Sequence, residues 1–359
     1  MNSVQVSAPG KLMLIGEYAV LDGASALVMA VDRRVHVSIS RAAAQPGKLT
    51  APQLGIDRAP MAIVNGTLCC RGRARKLPAL TARMLPAIMR ELGRHPGEIV
   101  DLDLVIDSGE LFESGAGAPV KLGLGSSAAV SAALAVALEA WFESRLTAPD
   151  PERRLRRWLP VYRGALASTA SGADLAASFF GGLNVFRGSL DAPSCQPVKW
   201  PSGLLWRAIW VGQAAQTTDY VGAWERWKLA EPASAQDMGR RLGRVARDAV
   251  GSLGDAAALI EHCAEYADLL DAMGTAMGRQ VMSAPHRRLA ELGKKCGVVY
   301  KSCGAGGGDL GIALSTEPAR LRAFDKRVAD CHGVPLNLDV STVGAVFGAG
   351  WLPDAAKNQ

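Results

Sequence analysis

Apolar residues recur with two different periods along this chain, and the two periods alternate from one segment to the next. The run at residues 34–42 alternates strictly, with Val35, Val37 and Ile39 on one face, and this predicts a strand at an edge of a sheet or covering it. The segment at residues 128–144 is instead dominated by Ala and Leu, which predicts a buried helix. Strand and helix patterns interleave in this way, so the chain is predicted to be an α+β protein.

The same patterns divide the chain into two parts. Residues 234–294 carry three helical stretches, and residues 298–315 indicate a strand, a glycine-rich loop and a second strand. Pro, Ser and Gly are dense at residues 191–203, which is typical of a boundary between structural units. Because 359 residues exceed what one hydrophobic core usually organises, we predict two lobes, at residues 1–195 and 196–359.

The amino-acid composition limits the classes of ligand and partner that the protein is expected to bind. Hydrophobic residues make up 49% and charged residues 21%, as in a globular protein that folds alone. The formal charge of +6 occurs without a long Lys/Arg tract, which favours small anionic ligands and argues against nucleic-acid binding. The sequence has no 18-residue apolar run, no signal-peptide layout and no CxxC pair among seven cysteines. We expect a cytoplasmic monomer or homodimer with reduced thiols and no membrane contact.

The segment KLGLGSSAA, at residues 121–129, stands where a loop must become a helix. Its glycines let the backbone approach a ligand closely, and the N–H groups and dipole at a helix N-terminus favour an anion. The alternative is a core helix with a serine cap, because serine is a preferred N-cap residue. The segment therefore predicts a phosphate site whose candidate residues are Lys121, Gly123, Leu124, Gly125, Ser126, Ser127 and Ala128.

Two further motifs favour the phosphate site. PGKLMLIGEYAVL, at residues 9–21, places Lys11 in a strand, although a lone lysine there could be a solvated surface charge. KSCGAGGGDLGIAL, at residues 301–314, contains a glycine-rich loop between two strands. This loop does not open a helix, and Asp309 stands where a dinucleotide fingerprint needs its third glycine. Without GxxxxGK[ST] or GxSxG, P-loop and α/β-hydrolase sites also lose their main support.

In order and spacing, the three motifs resemble those of the GHMP small-molecule kinases, and the resemblance covers nearly the whole chain. The chain is most similar to the phosphomevalonate kinase branch, through GEYAV with Tyr18, Lys121 before LGLGSS, ASGADLAAS at residues 170–178, and GGGD ending in Asp309. The resemblance implies a ribosomal-protein-S5-like N-terminal lobe and a ferredoxin-like C-terminal lobe. ATP and its acceptor would meet between the lobes.

The resemblance also implies roles for particular residues. Asp174 matches the catalytic aspartate of the family, with a helix cap as the structural alternative, and Lys11 matches the lysine that neutralises it and the transferring phosphoryl group. The Ser127 hydroxyl is expected to bind Mg²⁺. Gly304, Gly306 and Gly307 are expected to hold the ATP phosphates from the other lobe. The expected substrate contacts are Glu17, Tyr18, Arg163, Ser171, Gly172 and Lys301.

The implied reaction is ATP- and Mg²⁺-dependent phosphoryl transfer to 5-phosphomevalonate, which gives 5-diphosphomevalonate and ADP in the mevalonate route to isoprenoids. One alternative is a mevalonate kinase, whose acceptor is an alcohol, and another is a non-catalytic ligand sensor on the same fold. Retention of Lys11, Ser127 and Asp174 favours an enzyme over a sensor.

A few positions depart from the family pattern or stand outside it. Arg163 occupies a place where mevalonate kinases commonly have an acidic metal ligand, and Cys303 one where relatives usually have Ser or Thr. The basic run at residues 71–76 and the pair at residues 33–34 could contact substrate phosphate, although such runs are usually solvated.

Overall fold

The computed structural model describes residues 3–71, 77–113, 119–143, 150–166, 170–188, 193–213 and 217–348. Its strands are β1 (Ser3–Ile15), β2 (Ser25–Arg41), β3 (Lys48–Ala51), β4 (Ile56–Val64), β5 (Thr67–Cys70), β6 (Leu102–Asp107), β7 (Phe112–Glu113), β8 (Val120–Lys121), β9 (Leu183–Arg187), β10 (Ser194–Val198), β11 (Leu205–Trp210), β12 (Val299–Ser302), β13 (Leu310–Ser315), β14 (Val334–Leu336) and β15 (Val346–Phe347). Its helices are α1 (Ala79–Glu91), α2 (Ser126–Glu143), α3 (Pro151–Leu166), α4 (Ala173–Phe180), α5 (Thr217–Ala230), α6 (Pro232–Gly251), α7 (Ala256–Ala276), α8 (Ala284–Cys296) and α9 (Pro318–Asp325).

The long strand β2 is the centre of the first sheet. β1 pairs with it antiparallel along one side, while β9 and β6 share the other side. Beyond them the order continues through β3, β4 and β5 in one direction and β10 in the other. The prediction that the alternating run at residues 34–42 lies at an edge was wrong. β2 has neighbouring strands on both sides, and its residues alternate between apolar and polar because one face of the sheet is less buried than the other at this point.

Helices α1 to α4 accompany this sheet and form the N-terminal lobe with it. α2 is buried along most of its length, as the Ala/Leu pattern predicted, and its small side chains allow close packing on β1 and β2. α3 buries residues at intervals of three and four, among them Trp158 and Tyr162, and packs against α1 and α4. No helix in the described ranges combines the length and the apolar character that crossing a membrane requires.

The second sheet has the strand order β12-β13-β11-β14 in the described chain, and all of its pairs are antiparallel. With helices between β11 and β12 and between β13 and β14, this is the topology of a ferredoxin-like unit. The predicted α+β class and ferredoxin-like C-terminal lobe are thereby confirmed. This lobe comprises the second sheet and helices α5 to α9.

The chain leaves the first sheet after Val198 and enters the second at Leu205. The predicted division between residues 195 and 196 therefore falls within β10, because that strand still pairs with β9. The chain later returns to the N-terminal lobe, where β15 pairs with β1. The guanidinium of Arg34 fastens this returning segment through bonds to the carbonyl oxygens of Val343 and Gly344. Arg34 thus has a structural role.

His286, on α8, is buried in the C-terminal lobe and bonded on both ring nitrogens. Its Nε2 lies 3.1 Å from the carbonyl oxygen of Gly308, and its Nδ1 lies 2.9 Å from the hydroxyl of Tyr300. A carbonyl only accepts, so Nε2 carries the proton and Nδ1 accepts from the tyrosine. Burial is the main reason that the pKa of His286 falls from 6.5 to about 4.

This pKa predicts an acid-sensitive fold. The unfolded chain binds a proton at His286 near pH 6.5 and the folded chain only near pH 4, so the free energy of unfolding falls as the pH drops through that window. The slope should be at most roughly 1.4 kcal/mol per pH unit. Urea unfolding of His286→Gln should give a flatter pH profile than the wild type, whereas His262→Gln should keep the wild-type slope. Equal slopes for His286→Gln and the wild type would exclude His286 as the responsible group.

Candidate active site

The segment at residues 121–128, here called the phosphate loop, is seated on strand β1. The amide of Lys11 donates to the carbonyl oxygen of Leu124 at 2.8 Å. Gly125 has a φ of 74°, and a β-carbon there would lie 2.8 Å from Cγ of Lys11. The stem of Lys11 therefore lies across Gly125, and only glycine fits both the backbone angle and the space.

The segment at residues 304–309, here called the glycine loop, approaches the phosphate loop from the C-terminal lobe. The side chain of Asp309 occupies the space that a β-carbon on Gly123 would need, and Gly123 itself has a φ of 82°. The structure thus brings together the three motifs that the sequence analysis selected, although they lie far apart along the chain.

Helix α2 begins at Ser126, directly after the last glycine of the phosphate loop. Among the described residues, neither Ser126 nor Ser127 uses its hydroxyl to cap the helix, and Ser127 is exposed. Leu124 is buried, and the amide of Ala128 already donates to the carbonyl oxygen of Gly125 at 3.0 Å. A contact of Leu124 or Ala128 with phosphate stays a prediction, and these observations show only that Leu124 also packs in the core and that the Ala128 amide is already bonded. The two serines remain available to a ligand.

Asp174 lies in the first turn of α4, where Gly172 is the N-cap residue with a φ of 92°. The Asp174 carboxylate accepts from the Tyr162 hydroxyl at 3.3 Å and from the Leu175 amide at 3.0 Å. It is therefore not the helix cap. One turn later, Ser178 donates to the carbonyl oxygen of Pro9 at 2.9 Å, so this face of α4 lies against β1 beside Lys11.

Lys11 and Asp174 do not form an ion pair in the part of the chain that the structure describes. The lysine stem follows Gly125, and the aspartate is held by Tyr162. Burial, followed by the charge of Asp174, raises the pKa of Tyr162 well above its ordinary value, so this phenol stays protonated and can donate. The predicted neutralisation of Asp174 by Lys11 is therefore not a direct contact here.

The glycine loop is fixed by side chains outside it that donate to its carbonyl oxygens. These bonds run from the Tyr18 hydroxyl to Ala305, from Gln213 Nε2 to Gly307 at 2.8 Å, and from His286 Nε2 to Gly308 at 3.1 Å. The amide of Gly307 donates to Val281, and the ring of Tyr220 fills the space beside Gly307. Gly306 packs against Val281. Three of the loop carbonyls are thereby occupied by protein groups.

Glu17, Tyr18 and Lys301 were expected to contact substrate, and the structure places them underneath the glycine loop instead. Lys301 Nζ lies 2.6 Å from Glu17 Oε1, with side-chain exposures of 0% and 2%. Tyr18 is 4% exposed, and burial raises the pKa of its hydroxyl. Burial opposes the charge on Lys301, yet the attraction of Glu17 and further contacts leave its pKa raised. Side chains buried this deeply cannot touch a ligand in this conformation.

Arg163 acts on the segment that precedes α4. Its guanidinium donates to the carbonyl oxygens of Ala170 and Ser171, at 2.9 and 2.8 Å. The Ser171 hydroxyl in turn accepts from the Ala173 amide at 3.3 Å. Arg163 thus holds the turn from which Asp174 projects. A substrate contact by Arg163, Ser171 or Gly172 stays a prediction.

The remaining basic candidates differ in position. Lys121 is exposed on β8 and is the first residue of the phosphate loop. Residues 72–76 of the basic run lie outside the described residues. Cys303, by contrast, is buried, and burial raises the pKa of its thiol to about 12. This protonated thiol offers only a weak donor where a hydroxyl was expected.

Sequence analysis did not identify three positioning residues, Tyr162, Gln213 and His286. None of them belongs to a motif. Tyr162 could have been found from the period of α3, which turns it inward together with Trp158. Gln213 and His286 carry no comparable signal, because their partners, Gly307 and Gly308, are not their neighbours in the sequence.

The donor set fits a magnesium ion that is held mainly by nucleotide phosphates. The described residues contain no group of three or more His, Cys, Asp or Glu side chains arranged to bind a metal. Mg²⁺ at kinase sites keeps several waters and uses one or two protein ligands together with substrate phosphates. The exposed hydroxyl of Ser127, at the start of α2, can be one such ligand.

Comparison with known proteins agrees with this geometry. The family model for the GHMP kinases N terminal domain matches residues 80–182, which include the phosphate loop and Asp174. A phosphomevalonate kinase of Streptomyces sp. strain CL190 is 30% identical over 340 residues, covering 86% of this chain and 88% of the relative. A mevalonate kinase of Aeropyrum pernix is 28% identical over 186 residues, covering 52% of this chain and 51% of the relative.

A solved structure shares the whole fold. Streptococcus pneumoniae phosphomevalonate kinase in complex with phosphomevalonate and AMPPNP superposes with a TM-score of 0.72 at 20% identity, covering 94% of this chain and 99% of that one. Both lobes are therefore matched. The three motifs meet at one site, and the identity to the Streptomyces enzyme extends over most of both chains. This protein therefore belongs to the GHMP kinase family and is a kinase.

Proposed function

We propose that this protein transfers the γ-phosphoryl group of ATP to 5-phosphomevalonate and releases 5-diphosphomevalonate and ADP. The observation that carries the proposal is the 30% identity to a phosphomevalonate kinase over 86% of the chain. The solved relative that binds phosphomevalonate and AMPPNP supports the same pair of substrates. The cytoplasmic location and the monomeric or homodimeric state predicted from the sequence belong to the same proposal.

In this proposal the ATP phosphates lie between the phosphate loop and the glycine loop. The start of α2 supplies the positive end of a helix dipole, and Ser126 and Ser127 supply hydroxyl groups. Mg²⁺ would be held by the phosphates with Ser127, and when bound it neutralises charge on the transferring group. Gly304, Gly306 and Gly307 let the second backbone approach the same phosphates.

The acceptor needs little activation. A phosphate monoester has a second pKa of about 6, so at neutral pH it is largely a dianion and already nucleophilic. The task left for the protein is to hold two negatively charged groups together and in line. Lys11 supplies positive charge beside the phosphate loop, and Asp174, held by Tyr162, orients the groups around the acceptor oxygen.

A mevalonate kinase activity is the second candidate, and the similarity to the Aeropyrum pernix enzyme favours it over half of the chain. The two activities differ in the charge of the acceptor. Lys121, exposed at the start of the phosphate loop, is a cation suited to a phosphorylated acceptor. A non-catalytic sensor is disfavoured, because Lys11, Ser127 and Asp174 are all present at one site.

A substrate panel tests the proposal. With ATP and Mg²⁺, we expect kcat/KM for 5-phosphomevalonate to exceed that for mevalonate by at least about a hundredfold, because an uncharged acceptor group leaves cations of the site unpaired. Homoserine and galactose should be inactive. The measurement is ADP release under matched conditions. Efficient use of mevalonate with none of 5-phosphomevalonate would replace the proposal with the mevalonate kinase activity.

Asp174→Asn should reduce turnover by about a hundredfold or more, as expected when a positioned electrostatic group is lost. The amide can still accept from Tyr162, so the melting temperature should change little. Asp237→Asn, an exposed substitution of the same kind on α6, is the matched control and should turn over like the wild type. Wild-type turnover in Asp174→Asn would remove this residue from the reaction.

Ser127→Ala should weaken the use of Mg·ATP more than it weakens the fold. Even the loss of a helix cap costs only about 1 kcal/mol, and Ser127 makes no capping bond in the described chain, whereas loss of a metal ligand acts on the transition state. Ser131→Ala, one turn later in the same helix, is the control, since its hydroxyl bonds only the Ser127 carbonyl at 2.9 Å. The comparison is kcat/KM for ATP against the melting temperature. A collapse of the melting temperature with normal turnover would make Ser127 a structural cap.

A further inference from the structure

Glu17 and Lys301 are buried together where the two lobes meet, and the proposed chemistry does not use them. Glu17 follows β1 of the N-terminal lobe, and Lys301 lies on β12 of the C-terminal lobe. Their charged atoms are 2.6 Å apart. We call them the interlobe pair. Because both side chains are inaccessible, any effect they have on a ligand must pass through their neighbours.

The interlobe pair is bonded directly to the glycine loop. The oxygen of Glu17 that faces Lys301 also accepts the amide of Gly304 at 3.3 Å. Lys301 Nζ donates in addition to the carbonyl oxygen of Ser302 at 2.7 Å. The pair therefore fixes both the first residue of the loop and the strand end that leads into it.

The turn that carries Glu17 is tied to the C-terminal lobe at further points. The Tyr266 hydroxyl, on α7, donates to the carbonyl oxygen of Glu17 at 2.6 Å. The hydroxyl of Tyr18 donates to Ala305 in the glycine loop. On the other side of the turn, β1 carries Lys11, whose amide holds the phosphate loop. The interlobe pair is thus connected to the glycine loop by hydrogen bonds and to the phosphate loop through the backbone of β1.

Stability alone does not account for this arrangement. A buried ion pair is a weak source of stability, because desolvation offsets most of the attraction, and apolar residues of similar size often serve equally well. The second carboxylate oxygen of Glu17 is buried without a hydrogen-bond partner in the described chain, which adds to the cost. An apolar replacement would lose the two hydrogen bonds, to Gly304 and Ser302, that hold the glycine loop and the end of β12 in position.

We propose that Glu17 and Lys301 are positioning residues that set the gap between the glycine loop and the phosphate loop, and thereby the affinity for the nucleotide. The proposal rests on the proposed function in one respect, which is that the nucleotide phosphates lie between these loops. The approach of Asp309 to Gly123 shows how narrow the gap is. A small displacement of Gly304 alters the geometry on both sides of it.

The decisive experiment replaces both charges at once, with Glu17→Leu and Lys301→Met in one chain. We expect the melting temperature of this double variant to stay near that of the wild type, whereas Lys301→Met alone lowers it strongly by leaving Glu17 unpaired. Calorimetric titration with Mg²⁺ and AMPPNP, without any acceptor, should give a dissociation constant raised by about tenfold to a hundredfold in the double variant.

Lys228→Met is the matched control. It removes an exposed ion pair with Asp22, at 3.0 Å, that also joins the C-terminal lobe to the N-terminal lobe. Since its partners stay solvated, both the melting temperature and the affinity for AMPPNP should equal those of the wild type. This control separates the effect of the interlobe pair from the general loss of a contact between lobes.

Each outcome of the titration either supports or overturns the proposal. A double variant that melts like the wild type and binds AMPPNP with wild-type affinity overturns the proposal. If the double variant does not fold, Glu17→Gln takes its place, because it keeps the shape of the side chain but gives Lys301 and Gly304 a neutral and weaker acceptor. It should still raise the dissociation constant by about fivefold or more, and unchanged affinity would overturn the proposal. A wrong acceptor leaves this titration unaffected, whereas a wild type that binds no nucleotide refutes the proposed function itself.

Discussion

The site depends on the close approach of the Lys11 and Asp309 side chains to two glycines, at places where a β-carbon does not fit. The phosphate loop reaches its position because the Lys11 amide bonds Leu124 and because Gly125 leaves room for the lysine stem. Gly123 leaves room for Asp309 in the same way. A β-carbon at either glycine would push the loop off β1 or away from the other lobe. The positions of the charged groups at the site therefore depend on this packing.

The C-terminal lobe contributes rigidity rather than reacting groups. Its glycine loop is held from outside by Tyr18, Gln213 and His286, which occupy carbonyl oxygens that would otherwise seek water. A loop fixed before the ligand arrives loses little conformational entropy on binding. Glycine lets the backbone of this loop approach a ligand closely, and the neighbouring side chains restrict the conformational freedom that glycine would otherwise have.

The sequence was sufficient for the fold class, the two lobes and the segments that meet at the site, because periodicity and glycine motifs are local signals. It failed where a role depends on contacts across the chain. The substrate contact predicted for Arg163 stays a prediction, but nothing in the sequence indicated that its guanidinium binds the backbone of Ala170 and Ser171. Glu17 and Lys301 are polar residues in motifs, and only their burial in the fold reveals that they face each other. Helix α5 went unpredicted, since its apolar and polar residues show no clear helical period.

The return of the chain to the first sheet has a mechanical consequence. One covalent connection between the lobes lies between β10 and β11, and a second lies between β14 and β15. A body joined to another by a single tether can swivel freely, but two tethers define an axis. The two connections therefore restrict how one lobe can rotate relative to the other more than a single connection would.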